Sequence, residues 1–190
     1  NQQGEEIQQP GWCKAVKAIG WYIEEYGIAQ VSMNLTDEAQ TPIHTAFDAC
    51  VKSAYERGMR VTGSELVGLI PLQSLLNAGR YFLEKQQRSI GVGEEELVRI
   101  AIKSLGLDEL SPFIPEERII EYVLKDKSTS LLANKTLTAF ANQTASESPA
   151  PGGGSVAAYA GALGASLGAM VANLSSHKKG WDDQWQYFSN

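Results

Sequence analysis

The chain has 190 residues, 43% hydrophobic and 20% charged, with 16 basic and 22 acidic side chains (16 − 22 = −6). That apolar fraction supports a packed core and is too high for a disordered chain, and the length predicts one or two domains. The acidic balance, with no basic run, argues against a phosphate-dominated nucleic-acid surface, and two cysteines, Cys13 and Cys50, cannot make a disulfide framework.

No secretory-type leader opens the sequence, so a reducing cytoplasm is the expected setting, and the Asn-X-Ser/Thr triplets at Asn34, Asn134, Asn142 and Asn173 are taken as chance. Lys14 to Ile23 reads as a strand with Ile19, Trp21 and Ile23 on one face, and Glu24-Glu25-Tyr26-Gly27 as a turn. The next run alternates. Ala29, Val31, Met33 and Leu35 point one way and Gln30, Ser32 and Asn34 the other, which predicts a strand with a buried and a polar face. A helix follows, with Thr41 as cap, Pro42 at the first helical position, Gly58 at the stop, and Ile43, Phe47, Cys50, Val51 and Ala54 along its apolar stripe. Val61 to Ile70 reads as a further strand running into Pro71. Leu72, Leu75, Leu76, Gly79, Phe82 and Leu83 define a second amphipathic helix, and Leu97, Ile100, Ala101 and Leu105 a third. A fourth, short helix starts at Pro115 and is expected to bury Ile119, Ile120, Val123 and Leu124.

This order is what remains of a split βαββαβ unit without its first strand and helix. The expected class is α+β: an incomplete ferredoxin-like ββαβ subdomain with extra helices, followed by an all-α segment. The absent strand belongs in the middle of such a sheet, so its loss is expected to leave Val61–Val67 without a neighbour and its backbone groups unpaired. Asn1-Gln2-Gln3-Gly4 reads as the frayed end of the absent helix, so the chain is expected to begin inside a domain.

The composition then steps. Residues 1–130 carry 19 acidic and 13 basic groups, whereas residues 131–190 carry three of each together with 12 Ala and 7 Gly. The step predicts a boundary at Asp126-Lys127-Ser128-Thr129-Ser130, separating a domain over 1–127 from a helical one over 131–190. Leu132, Leu137, Phe140 and Ala141 suggest a helix, Ser148-Pro149-Ala150-Pro151-Gly152-Gly153-Gly154-Ser155 a sharp break, and Trp181 to Phe188 the start of a last helix. Between them Val156 to Leu174 runs 19 residues without a charge, long enough to suggest a membrane span, with Gly164 and Gly168 in small-xxx-small spacing. Seven Ala, three Gly, one Ser and one Asn leave it weakly hydrophobic, so the expectation is a helix buried in a soluble bundle, with no membrane partner.

Several strings resemble the glutamate formimidoyltransferase family: Lys17-Ala18-Ile19-Gly20-Trp21-Tyr22, Ala29-Gln30-Val31-Ser32-Met33-Asn34-Leu35, and Thr62-Gly63-Ser64-Glu65-Leu66-Val67-Gly68-Leu69-Ile70-Pro71-Leu72. So do Leu107-Asp108-Glu109-Leu110 and Pro115-Glu116-Glu117-Arg118-Ile119-Ile120-Glu121-Tyr122, and together they match that family's C-terminal subdomain. Leu137 onward, above all Ala150-Pro151-Gly152-Gly153-Gly154-Ser155-Val156-Ala157-Ala158, resembles the opening of the formimidoyltetrahydrofolate cyclodeaminases. The resemblance implies a multifunctional transferase and lyase of histidine breakdown. A formimino group passes between N-formimidoylglutamate and tetrahydrofolate, and ring closure to the methenyl form then releases ammonia. It also implies tetrahydrofolate as co-substrate, a homo-oligomer, and catalytic residues outside this chain: a His in an N-terminal subdomain and an acid in later helices. The rival reading is a non-catalytic folate-binding or oligomerisation module.

Candidate binding residues follow from pattern and resemblance together. The polar face of Gln30, Ser32 and Asn34 is either a solvated sheet face or, as the family's tunnel between facing sheets implies, a surface for a pterin edge or glutamate carboxylates. Glu65, in an apolar run, is either an exposed strand-end carboxylate or a proton-transfer group with a raised pKa. His44, in the first turn of a helix, suits a neutral imidazole because the macrodipole disfavours its charged form, though surface and capping roles are commoner. Gly152, Gly153, Gly154 and Ser155 lead into a helix whose free amides favour anions; a flexible linker is the generic alternative, and the cyclodeaminase resemblance implies a folate contact. His177, beside Lys178 and Lys179, is expected to be solvated. No His, Cys and acidic cluster has metal-ligand spacing, so no metal is expected.

Overall fold

The computed structural model describes residues 11–125 and 132–189, the side chains of Asp182 and Ser189 apart. The predicted linker at 126–130 and the supposed frayed end at 1–4 lie outside the described residues. What is described is α+β: a two-stranded antiparallel sheet followed by helices, with a wholly helical C-terminal part.

Strands β1 (Val16–Ile23) and β2 (Ile28–Leu35) pair in register from Val16 opposite Leu35 to Ile23 opposite Ile28. Gly27, at φ 64°, closes the turn by donating its N–H to the Ile23 carbonyl at 2.9 Å. Helix α1 (Ile43–Tyr55) lies against this hairpin, where the Cys50 Sγ sits 3.9 Å from the Met33 sulfur. Thr41 does not cap it. Pro42 occupies the N-cap without a side-chain bond, while the buried Thr41 hydroxyl donates to the Lys14 carbonyl at 2.7 Å and so ties the helix entrance to the start of the hairpin. The predicted apolar stripe is half-buried at Ile43, Phe47, Cys50 and Ala54 and exposed at Val51; the fully covered positions are His44 and Ala46.

Helices α2 (Leu72–Lys85) and α3 (Glu94–Leu105) form the core. Leu75, Ala78 and Phe82 interdigitate with Val98, Ala101, Ile102 and Leu105, and Ile70 and Ile119 close one end. The helices touch at Gly79, where an added Cβ would lie 2.4 Å from the Leu97 carbonyl oxygen. Glycine is required there because the backbones are in contact.

The predicted strand at Val61–Ile70 does not form. The segment is irregular, held by Ser64, whose N–H donates to the Gly106 carbonyl (2.9 Å) and whose hydroxyl donates to the Leu105 carbonyl (2.6 Å). A strand is stable only when a neighbour takes its backbone groups, and neither edge of the hairpin does so. Ile70 alone makes a parallel bridge, to Ile119. That bridge also corrects the fourth helix. Ile119 is extended (φ −94°, ψ 123°) and splits it into α4 (Pro115–Arg118) and α5 (Ile120–Val123). Ile119 is buried and Ile120 half-buried, but Val123 and Leu124 are exposed.

In the C-terminal part, a 3-10 turn over Leu132–Asn134 precedes α6 (Leu137–Thr144), which is capped by the Thr136 hydroxyl accepting from the Ala139 N–H at 3.2 Å. Then come α7 (Gly153–Ser176), a 3-10 turn over Asp182–Gln184 and α8 (Trp185–Ser189). The burial expected of α7 is not met: Leu163, Leu167, Met170, Val171 and Leu174 are all exposed. Helices of eight and five residues cannot cover one of 24. By length and composition α7 is able to cross a membrane, although half of its residues are Ala or Gly.

Candidate functional site

The register of the hairpin decides what surrounds the polar residues of β2. Gln30 lies opposite Trp21, Ser32 opposite Ile19 and Asn34 opposite Lys17, and directly opposed residues share a face. The outward face is therefore mixed: amide and hydroxyl groups interleaved with an indole 45% exposed and an isoleucine 66% exposed. Gln30 and Ser32 are half-buried and Asn34 is exposed. The other face, carrying Ala29, Val31, Met33 and Leu35, turns toward α1 at Met33, yet Val31 is 52% exposed. The Trp21 face therefore offers exposed apolar surface and hydrogen-bonding side chains side by side. The aromatic contribution was missed by reading β2 alone. Cross-strand pairing of the alternation in β1 was the signal for it.

His44 stands elsewhere, in the joint between α1 and α2. It is 9% exposed, and its ring stacks on Tyr81 with centroids 4.3 Å apart and planes at 21°. One helical turn on, Asp48 accepts the Tyr81 hydroxyl at 2.5 Å and the Lys85 ammonium. Glu38, on the approach to α1, accepts the Ser74 hydroxyl at 2.5 Å. Burial holds the His44 imidazole below its ordinary value, against the opposing pull of Asp48 and Glu38. For Asp48 burial raises the pKa, but the bonds from Lys85 and Tyr81 outweigh it and hold the carboxyl below the usual range. The Tyr81 phenol is pushed up, chiefly by its bond to Asp48, and the Lys85 ammonium likewise. His44 Nδ1 is buried without a hydrogen-bond partner. Asp48, Tyr81 and Lys85 escaped the sequence reading because they join across two helices.

Gly152, Gly153, Gly154 and Ser155 do start a helix. Gly152 is the N-cap of α7, its carbonyl accepting from the Val156 N–H at 3.1 Å. The three glycines are exposed and Ser155 is half-buried. The turn before them is braced: the Gln143 amide donates to the Ala150 carbonyl at 2.8 Å, the Ser148 hydroxyl to the same carbonyl at 2.6 Å, and Phe140 meets Tyr159 at 5.6 Å. A Cβ built on Gly153 or Gly154 meets no atom within 4 Å. Nothing in the described fold therefore demands glycine at those two positions, whereas close approach of a ligand would.

Glu65 is exposed, so the burial that a proton-transfer role needs is absent. His177, at the C-cap of α7, is exposed as expected. Among the described residues no group of three or more His, Cys, Asp and Glu side chains is placed to hold a metal ion. The hairpin face, the α1–α2 joint and the glycine turn are thus three separate places.

Comparison with known proteins gives the context for them. Residues 1–125 match the family model described as the formiminotransferase domain, and residues 136–190 match the one described as formiminotransferase-cyclodeaminase. A formimidoyltransferase-cyclodeaminase of Rattus norvegicus is 43% identical over 182 residues, which are 95% of this chain and 34% of the relative. A glutamate formimidoyltransferase of Thermoplasma acidophilum is 35% identical over 74 residues (39% of this chain, 24% of the relative). A methenyltetrahydrofolate cyclohydrolase of Methylorubrum extorquens is 47% identical over 49 residues (26% and 24%). The chain spans about a third of the length of the bifunctional relatives it matches. With two thirds of its length matched by the first of these models, the chain belongs to the formiminotransferase domain family.

Proposed function

We propose that this chain serves folate-linked one-carbon chemistry in histidine breakdown, as part of a protein that moves a formimino group from N-formimidoylglutamate to tetrahydrofolate and then closes the product to 5,10-methenyltetrahydrofolate with loss of ammonia. The observation that carries the reading is the adjacency of two matches, one to a transferase domain over residues 1–125 and one to a transferase-cyclodeaminase over residues 136–190, in a single chain. The division follows the composition step, with a transferase subdomain over 1–127 and cyclodeaminase helices over 131–190.

Within this reading the Trp21 face of the hairpin holds the pterin. The indole offers a stacking plane, and Gln30, Ser32 and Asn34 offer hydrogen bonds to ring edges or glutamate carboxylates. The glycine turn at Gly152–Ser155 receives a second folate contact at the start of α7, where backbone amides lack intrahelical acceptors. Lyase chemistry, a cytoplasmic setting, a homo-oligomeric state and α7 as a bundle helix rather than a membrane span belong to the same proposal. Titrating the chain with tetrahydrofolate by calorimetry tests it. Saturable binding, weakened at least tenfold by Trp21→Ala and by Gly153→Ala, is the expected outcome. Self-association without folate binding, or partition into detergent micelles, would replace the enzyme reading by the module or the membrane reading.

A further inference from the structure

The α1–α2 joint contains more polar machinery than packing requires. Two residues one helical turn apart on α1, His44 and Asp48, face two residues one turn apart on α2, Tyr81 and Lys85. The Tyr81 ring fills the centre: it stacks on the imidazole, its hydroxyl donates to Asp48, and the Lys85 ammonium lies 5.6 Å from its centroid. Glu38, from the loop before α1, approaches the same imidazole while accepting from Ser74 of α2. Among the described residues, the titratable groups around His44 are Asp48 on its own helix, Tyr81 and Lys85 on α2, and Glu38 on the entering loop.

In this arrangement the imidazole is nine-tenths buried and its Nδ1 has no partner. A neutral ring tolerates that at modest cost. An imidazolium does not, because both nitrogens then carry hydrogens and the buried one needs an acceptor. The acceptor on the same face of α1 is the Asp48 carboxylate, four residues on, which already serves Tyr81 and Lys85. We propose that the α1–α2 joint is a proton-sensitive contact, in which protonation of His44 draws Asp48 away from Tyr81 and loosens α1 from α2. The hairpin follows α1, through Thr41 on the Lys14 carbonyl and Cys50 on Met33, so the Trp21 face shifts with it. Acidification is therefore a regulatory input to that face, whatever ligand it takes; the switch itself does not depend on the folate reading.

The chain has two His residues, which makes the test direct. In the full chain with ring-labelled histidine, a His177→Gln variant leaves one imidazole signal, that of His44. It is expected to titrate below pH 6.5, the ordinary histidine value, and the ring-labelled tyrosine signal that Tyr81→Phe removes is expected to move with the same midpoint. In urea unfolding, the folding constant of the wild type falls relative to His44→Gln as the pH drops from 7.5 to 5, tenfold for each unit by which the ring is held down. A His44 signal titrating at or above 6.5, or a Tyr81 signal blind to that midpoint, overturns the proposal without reference to the variant's folding. Loss of folate binding at every pH would count against the folate reading and leave the switch untouched.

Discussion

Replacing Gly79 by Ala tests the helix contact on which the core rests. The new Cβ would lie 2.4 Å from the Leu97 carbonyl oxygen, against an ordinary contact of 3.4 Å, so α2 and α3 must part by the difference, 1.0 Å. The obstruction is backbone on both sides, and no rotamer change relieves it. Overpacking of this kind costs about 1–3 kcal/mol, whereas Ala in place of Gly within a helix gains about 0.5–1 kcal/mol. The steric term wins, and Gly79→Ala should destabilise by about 1 kcal/mol net, a measurable share of a typical domain's 5–15 kcal/mol. Gly164 of α7 provides the control, because a Cβ there meets no atom within 4 Å. Gly164→Ala should therefore show the propensity gain alone. Urea denaturation followed by far-ultraviolet circular dichroism measures both. A Gly79→Ala protein as stable as the wild type, or more so, would refute the claim that backbone contact fixes this helix pair.

Three further outcomes are expected. Leu75→Ala, which empties a fully buried position in the core, should cost about 2–5 kcal/mol in the same assay. Asp48→Asn removes the charged acceptor shared by Tyr81 and Lys85; because the wild-type carboxyl is held low, its contribution is complete above the ordinary carboxylate pKa of 3.8 and is lost as the pH falls below it, so the two proteins should converge in stability in acid. Tyr122 is pushed up to about 12, first by burial and then by its hydroxyl's bond to Glu94, so one of the seven phenols should ionise about two pH units after the ordinary 10.0 in an ultraviolet titration, and Tyr122→Phe should abolish that late step.

Local pattern carried the hairpin, the two long core helices and the start of α7. The alternation through Ala29 to Leu35, the stripe from Leu72 to Leu83 and the glycine break before Val156 each specify an element whose hydrogen bonds are internal or lie next door. Wherever a partner distant in sequence was needed, the pattern was insufficient. Val61–Ile70 has the composition of a strand but finds a ladder nowhere in the described fold, and Ile119 leaves a helical run because Ile70 offers it a bridge. Thr41 has the right chemistry for a cap and spends its hydroxyl on Lys14 instead.

The candidate site divides in the same way. Which residues carry hydrogen-bonding groups, and that glycines precede α7, is written in the chain; so are the strings that mark the family, because they are contiguous. That Trp21 stands across from Gln30, and that His44 stacks on Tyr81 above Asp48, depends on strand register and on helix-to-helix approach. Those are set by the sum of many weak contacts between segments far apart in sequence, so only the tertiary structure decides them.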